Sequence, residues 1–369
     1  MPALPTSAPA PARVALPERR AACALAVAPG VGPVRWRALL TESEGDARGA
    51  LARVAPGAAG EALLRQADAL LRHGRDAGLH LLLLGDPDYP VALLDLPDPP
   101  PLLWRAGALP TSPARPSVAI VGTRTPTPYG TRTARAFAGA LARAGVLVVS
   151  GMARGIDAAA HEAALDAGGP SVAVLGTGAD VPYPAAHRAL HARLCRLGAV
   201  LAEAPPGARA TPGAFPRRNR LIAALADVVV VVEAGARSGA LITAGVAADL
   251  GRTVAALPGP IDAPESAGTN GLLRDGAHLL AGIDDLLALV GVAPERPAAD
   301  GEAPRSAPLP AGLTADEQAI WRVLATRPLD ADRLVWETGL PADRCVAAIT
   351  TLELAGLVTS RVGGEIERC

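Results

Sequence analysis

The sequence predicts an α/β protein: a doubly wound parallel sheet, preceded by a small helical N-terminal domain and followed by a C-terminal winged-helix domain. Residues 115–292 alternate short apolar runs with helical stretches, and the runs are apolar throughout rather than at every second position. Strands covered by helices on both faces read this way, whereas a sheet with one wet face alternates. From residue 313 onward, three short helical stretches precede a hairpin pattern, the order helix, helix, helix, wing.

Residues 1–20 read as a Pro/Ala-rich disordered tail. Arg19-Arg20 precede the apolar run Ala21 to Ala28, which ends at Pro29-Gly30. That run is a poor signal peptide and is too short to span a membrane. Residues 21–76 are helical in pattern, with Pro29-Gly30-Val31-Gly32-Pro33 shaped like the turn of a helix-hairpin-helix. Such a turn can meet a phosphate, but residues 1–114 balance 11 Arg against 11 acidic residues, which favours a hairpin packed on the next domain.

The core is expected over 77–292. LHLLLL (79–84) is a buried strand and residues 86–104 are a Pro-rich extended segment. Further strands are expected at 117–121, 146–149, 171–175, 199–202, 227–232 and 253–257. The helices between them fall at 129–144, 156–167, 184–197, 216–225 and 239–250. Residues 293–312 form a Pro/Ala linker, and 313–369 the winged-helix unit, with Gly363-Gly364 as the turn of its hairpin.

All 35 basic residues among the 369 are arginine. Without lysine there is no Walker A loop and no Schiff-base or lysine general-base chemistry. Cationic sites must use guanidinium, which stays charged and contacts phosphate in a bidentate manner. Cys23, Cys195, Cys345 and Cys369 form no C-x-x-C pair, as expected of a reduced, cytoplasmic protein. The net charge of −1 hides a division: residues 115–292 carry 16 Arg against 13 acids, and residues from 293 carry 8 against 12. Within the winged-helix unit the balance is 6 Arg to 9 acids, which suits a protein partner better than a duplex.

Ligands of open α/β sheets sit beyond the carboxyl ends of the strands. Here those ends run into GTR (122–124), SGMARG (150–155), GTGAD (176–180), EAPPG (203–207), EAGARSG (233–239) and PGP (258–260). Glycine lets backbone amides approach an anion, and helix starts add partial positive charge. Residues 204–226 hold Arg209, Arg217, Arg218 and Arg220 with no acid, and Phe215 precedes the run. Guanidinium groups beside a ring suit single-stranded nucleic acid; a solvated basic helix face with Phe215 in the core reads equally well.

Neither G-x-G-x-x-G nor G-x-S-x-G occurs, which counts against dinucleotide binding and against an α/β-hydrolase. Asp157 and His161 share a helix face and read as a local ion pair or helix-orienting contact, with acid–base work as the alternative. His187, His191 and Cys195 also share a face, but no further ligand accompanies them and no metal site is expected.

In order along the chain, SVAIVGTR, VVSGMARGIDAAAH, LGTGADVPYP, LAEAPPG, FPRRNRLIAAL, VVVVVEAGARSGALITAGVAADLGR and LPGPIDAPESAGTNGLLRDGAHLL resemble the DprA/Smf family of DNA processing proteins. The resemblance implies an extended Rossmann-like core that binds single-stranded DNA without a cofactor, catalytic residue or metal. It further implies protection of incoming strands, loading of RecA recombinase during natural transformation, and a homodimer formed through the core.

Carried over by position, Gly122, Thr123 and Arg124 form a phosphate-binding turn, and Gly151, in the next loop, is a further residue expected to bind the single strand. Arg217, Arg218 and Arg220 line the basic pocket, with Phe215 and Asn219 near the strand. Ser238, Gly239 and Thr243 supply the opposite loop and helix start. The family often has lysine in this pocket and asparagine at the position of His187; this chain has arginine alone and a histidine. An alternative on a related fold is a phosphoribohydrolase-like nucleotide-processing enzyme. The stretch EAGARSGALITAG lacks the P-G-G-x-G-T-x-x-E loop of that class.

Overall fold

The structure, a computed structural model, describes residues 16–109, 115–292, 310, 312–324, 329–360 and 365–368. The chain divides into two compact units, Met1–Pro294 and Glu295–Cys369.

Four helices open the first unit: α1 (Leu16–Ala26), α2 (Pro33–Glu42), α3 (Ala47–Val54) and α4 (Ala58–Asp76). The expected tail is therefore too long by at least five residues, because residues 16–20 are helical; residues 1–15 lie outside the described residues. Composition alone hides the reason. Arg19 donates to both carboxylate oxygens of Asp86 at 2.7 Å, and Arg20 forms a two-point pair with Asp68 at 2.7 and 2.6 Å. The four helices share an apolar core with Leu83 and Leu102 of the adjoining strands. The expected boundary at residue 76 is consequently not a boundary between compact units.

The sheet begins with β1 (His80–Leu83) and β2 (Leu102–Gly107), which pair antiparallel. Between them, where an extended segment was expected, Val91–Asp95 forms a turn of 3-10 helix that buries Leu93. There follow β3 (Ser117–Val121), α5 (Pro128–Arg143), β4 (Leu147–Ser150), α6 (Ile156–Asp166) and β5 (Ser171–Leu175). Next come α7 (Arg188–Leu197), β6 (Ala199–Ala202), α8 (Ala214–Ala224), β7 (Val228–Val231) and α9 (Gly239–Asp249). The unit closes with β8 (Thr253–Ala256), α10 (Ala267–Arg274), β9 (His278–Leu279) and α11 (Ile283–Leu289).

Strand order is β1-β2-β6-β5-β4-β3-β7-β8-β9. Every pairing from β6 to β9 is parallel, while β2 runs antiparallel to both its neighbours, so the sheet is parallel only across its core. The continuous apolar runs are explained by burial on both faces. Ala119, Val121, Val229 and Val231 pack with α8 and α9, and Val118, Ile120, Val228 and Val230 pack with α5 and α6.

In the second unit, α12 (Ala315–Val323), β10 (Leu329–Asp330), α13 (Ala331–Thr338), α14 (Ala342–Leu354), β11 (Val358–Ser360) and β12 (Glu365–Arg368) form a winged helix with sheet order β10-β12-β11. Thr314 and Glu317 cap α12 reciprocally, and Ile320, Leu334, Ile349 and Leu352 fill the core. The expected Gly363-Gly364 turn and nearly all of the 293–312 linker lie outside the described residues.

Helix α4 meets the sheet where Gly74 lies against the buried Trp104; a Cβ on Gly74 would overlap the indole ring. Gly74→Ala should therefore destabilise the first unit by about 1–3 kcal/mol, because overpacking outweighs the gain in helix propensity. Urea unfolding checks this, and a stabilised variant would contradict it.

Candidate functional site

The strand order reverses between β3 and β7, so the loops leaving these neighbours diverge and open a cleft at their carboxyl ends. Glu233, 5% exposed, fastens the two sides together. Its backbone carbonyl accepts from Thr123 N–H at 2.7 Å. Its carboxylate accepts from Thr127 N–H at 2.9 Å and from the Thr127 hydroxyl. Thr127 in turn caps α5 by accepting from Gly130 N–H at 3.1 Å. A Cβ on Gly122 would stand 2.7 Å from Ile156 Cγ1, so only glycine lets α6 begin this close to β3.

The cleft encloses about 770 Å³. Of the residues predicted for the site, Gly122, Thr123 and Arg124 line one wall. Phe215, Arg218 and Asn219 of α8 form the floor, and Ser238, Gly239 and Thr243 the other wall. Asn219 ties floor to wall by donating to the Gly239 carbonyl at 3.3 Å, and Ser238 caps α9 through Ala240 N–H. Gly151 lines an adjoining hollow of about 280 Å³ that shares Arg124, Phe215 and Arg218 with the cleft. Arg217 is exposed in a third hollow of about 410 Å³ beside Arg209, 3.6 Å from Glu203.

Arg220 departs from the expectation: it lines none of these three hollows. Its side chain, 12% exposed, donates to Glu203 at 2.7 Å and to the Asp98 carbonyl at 2.9 Å. Two residues along a helix are turned about 200° apart, so Arg218 and Arg220 cannot both face the cleft. Three contributors went unnamed in the sequence reading: Arg237 in the cleft, and Arg154 and Tyr183 in the adjoining hollow. Each lies in a strand-end stretch already quoted, EAGARSG, SGMARG or LGTGADVPYP, and position in those loops was the available signal.

Phe215 is half-buried, so its ring is only partly withdrawn into the core. The Arg124 guanidinium stands 5.6 Å from its ring centroid, and the Tyr183 ring is 5.2 Å away, tilted by 38°. Beneath it Arg218 is buried, and its Nε and Nη1 donors have no hydrogen-bond partner. Burial pulls this guanidinium down to about 10; the charge of Asp157 opposes that shift and Arg124 adds to it. Burial raises the Asp157 carboxyl, while Arg218 and backbone N–H donors from Ala153 and Gly151 act the other way.

Asp157 and His161 each take partners other than one another. The His161 Nδ1 meets the Ser171 hydroxyl at 2.8 Å, while Asp157 accepts from the backbone of the preceding loop. His187 and His191 donate to the Met152 and Ala179 carbonyls at 3.0 and 2.8 Å, so both hold loops. Among the described residues no group of three or more His, Cys, Asp or Glu is arranged to hold a metal ion.

An extended Rossmann-like sheet with a guanidinium-faced, aromatic-floored cleft at its switch point, carried with a winged-helix unit, defines the class of protein. The family model for DNA recombination-mediator protein A matches residues 80–291, and that for the DprA winged helix domain matches residues 303–364. The chain belongs to the DprA/Smf family.

It is 43% identical over 266 residues to a putative DNA processing protein DprA of Mycobacterium tuberculosis, covering 72% of this chain and 68% of the relative. The X-ray structure of DNA processing protein A from Streptococcus pneumoniae superposes with a TM-score of 0.62 at 33% identity, over 73% of this chain and 95% of that one. A Helicobacter pylori DNA processing protein A, solved for its single-stranded DNA binding mode, gives 0.53 at 32% identity, over 57% and 94%.

Burial holds His161 neutral, with its pKa down to about 3 against about 6.5 in an unfolded chain. Below pH 6.5 the unfolded state therefore binds a proton that the folded state refuses. His161's share of stability is whole above that pH and declines as pH falls towards 3, by up to about 1.4 kcal/mol per pH unit. Asp157, shifted upwards, works in the opposite sense and is common to both proteins compared. Between pH 7 and pH 5, His161→Gln should lose less unfolding free energy than wild type; equal losses would contradict the assignment.

Proposed function

We propose that this chain is a sequence-tolerant single-stranded DNA-binding protein that acts as a recombination mediator and not as an enzyme. The carrying observation is the placement of Arg124, Arg154, Arg218 and Arg237 around the Phe215 platform with Tyr183 alongside. Guanidinium groups track phosphates of any sequence, and a ring with a reachable face stacks on a base only where that base is unpaired. The Helicobacter pylori relative, which binds single-stranded DNA, supports the same reading. The acid and histidine nearest the floor, Asp157 and His161, are held by internal hydrogen bonds, as befits a binding surface rather than a proton-transfer site.

In this reading the protein is cytoplasmic, needs no cofactor, and pairs with a second copy through the core. It covers incoming strands and loads RecA recombinase on them, in natural transformation, as the family resemblance implies. Among the described residues no helix is long and apolar enough to cross a membrane. The winged-helix unit meets a protein: on α14, Arg344 is already paired with Asp316 at 2.8 and 2.6 Å, leaving that helix no free cation among its described residues.

Fluorescence anisotropy with labelled oligo-dT and a duplex of equal length tests the proposal. With about four phosphates neutralised, log affinity for the single strand should fall against log salt with a slope of roughly −3. Arg124→Ala should weaken binding about tenfold across sequences while leaving the melting temperature unchanged. Equal or tighter binding of the duplex would overturn the reading.

A further inference from the structure

Arg218 is 6% exposed and borders all three hollows, yet its Nε and Nη1 donors are unpaired. A buried donor without a partner costs on the order of 1–3 kcal/mol, and folded proteins keep few of them. The structure around it is correspondingly specific. Asp157 Oδ2, in the first turn of α6, accepts from Gly151 N–H at 3.1 Å and from Ala153 N–H at 3.4 Å. Between those donors Met152 stands in the left-handed region at φ 54°, wholly buried, with its carbonyl taken by His187.

The loop is thereby folded back over the carboxylate, and Gly151 is laid flat on the guanidinium. A Cβ at 151 would overlap Arg218 Nη1, with Cζ and Nη2 close behind. Loop and arginine thus fit only in this arrangement, and Asp157 supplies both the hydrogen bonds that set the loop and a negative charge that favours the ionised Arg218. Arg154, two residues beyond Met152, is carried to the rim of the adjoining hollow by the same fold-back.

We propose that Asp157 is a positioning residue for strand binding: through residues 151–153 it seats the Arg218 guanidinium where the cleft and its two neighbouring hollows meet, so that its charge is presented to a phosphodiester of the strand. The inference rests on the single-strand reading given above. It assigns Asp157 no contact with DNA; its effect passes through Arg218.

The test is a double-mutant cycle on the full chain, read by anisotropy with oligo-dT and by thermal melting. Asp157→Asn and Arg218→Gln should each weaken binding about tenfold, the worth of one charge-assisted pair. In the Arg218→Gln background, Asp157→Asn should change affinity no further. A carboxylate that served only the fold would lower affinity by the same factor in both backgrounds, and that result overturns the proposal. Wild-type affinity in Asp157→Asn overturns it too.

Gly151→Ala gives a second readout should Asp157→Asn fail to fold. It should lower the melting temperature on its own and lose that effect when combined with Arg218→Gln, because the clashing group is gone. A melting temperature lowered equally in both backgrounds overturns the proposed fit. If the wild-type protein fails to bind oligo-dT, the single-strand reading falls and takes this proposal with it. If wild type binds but the cycle is additive, only the positioning role falls.

Discussion

The site depends on one buried carboxylate. Glu233 leaves β7 at the point where the strand order turns back, and it joins the β7 loop to the β3 loop by three hydrogen bonds: one to its backbone carbonyl and two to its side chain. No cation is needed, because two of the donors are backbone N–H groups and the third is the hydroxyl of Thr127. That same hydroxyl starts α5. Gly130 has to be glycine because Glu233 occupies the place of its Cβ. With the two loops locked, both cleft walls and the start of α6 take their positions from a single anchor.

On that frame the arginines divide by surroundings rather than by sequence neighbourhood. Arg217, Arg218 and Arg220 lie within four positions, yet one is exposed near Glu203, one is buried with free donors, and one is committed to Glu203 and Asp98. A guanidinium can hold the middle position because it keeps its charge when desolvated, whereas a buried ammonium readily sheds its proton. The lysine-free composition is thus compatible with a cleft whose deepest cation, though lowered by burial, stays ionised at neutral pH.

Much of this was legible in the sequence because burial on both faces leaves a strong mark. The runs at 117–121, 171–175 and 199–202 coincide with β3, β5 and β6 to the residue. Strand β2 was hidden by the prolines before it, which read as irregular extended chain, and β9 is too short to leave a pattern. The start of α1 was missed because its ion-pair partners lie 48 and 67 residues away. The same blindness to distance explains Arg220: its acids come from the loop after β6 and from the segment before β2, which no local window contains. Arg154 and Arg237 were visible only as members of loops, and loop membership does not say which side chain faces inward.

The pairing of β3 with β7 also sets a timetable for synthesis. Ser117 and Asp227, 110 residues apart, are joined at the base of these strands by hydrogen bonds of 2.8 Å from the Ser117 amide and hydroxyl. Strands β3 to β6 can pair in turn as they leave the ribosome, each with the strand just made. The far wall of the cleft must wait for β7 and α9, since contacts of long sequence separation form late. A chain that ends before β7 therefore carries Arg124 and Arg154 beside half a cleft, whose second wall arrives only with residues 228–249.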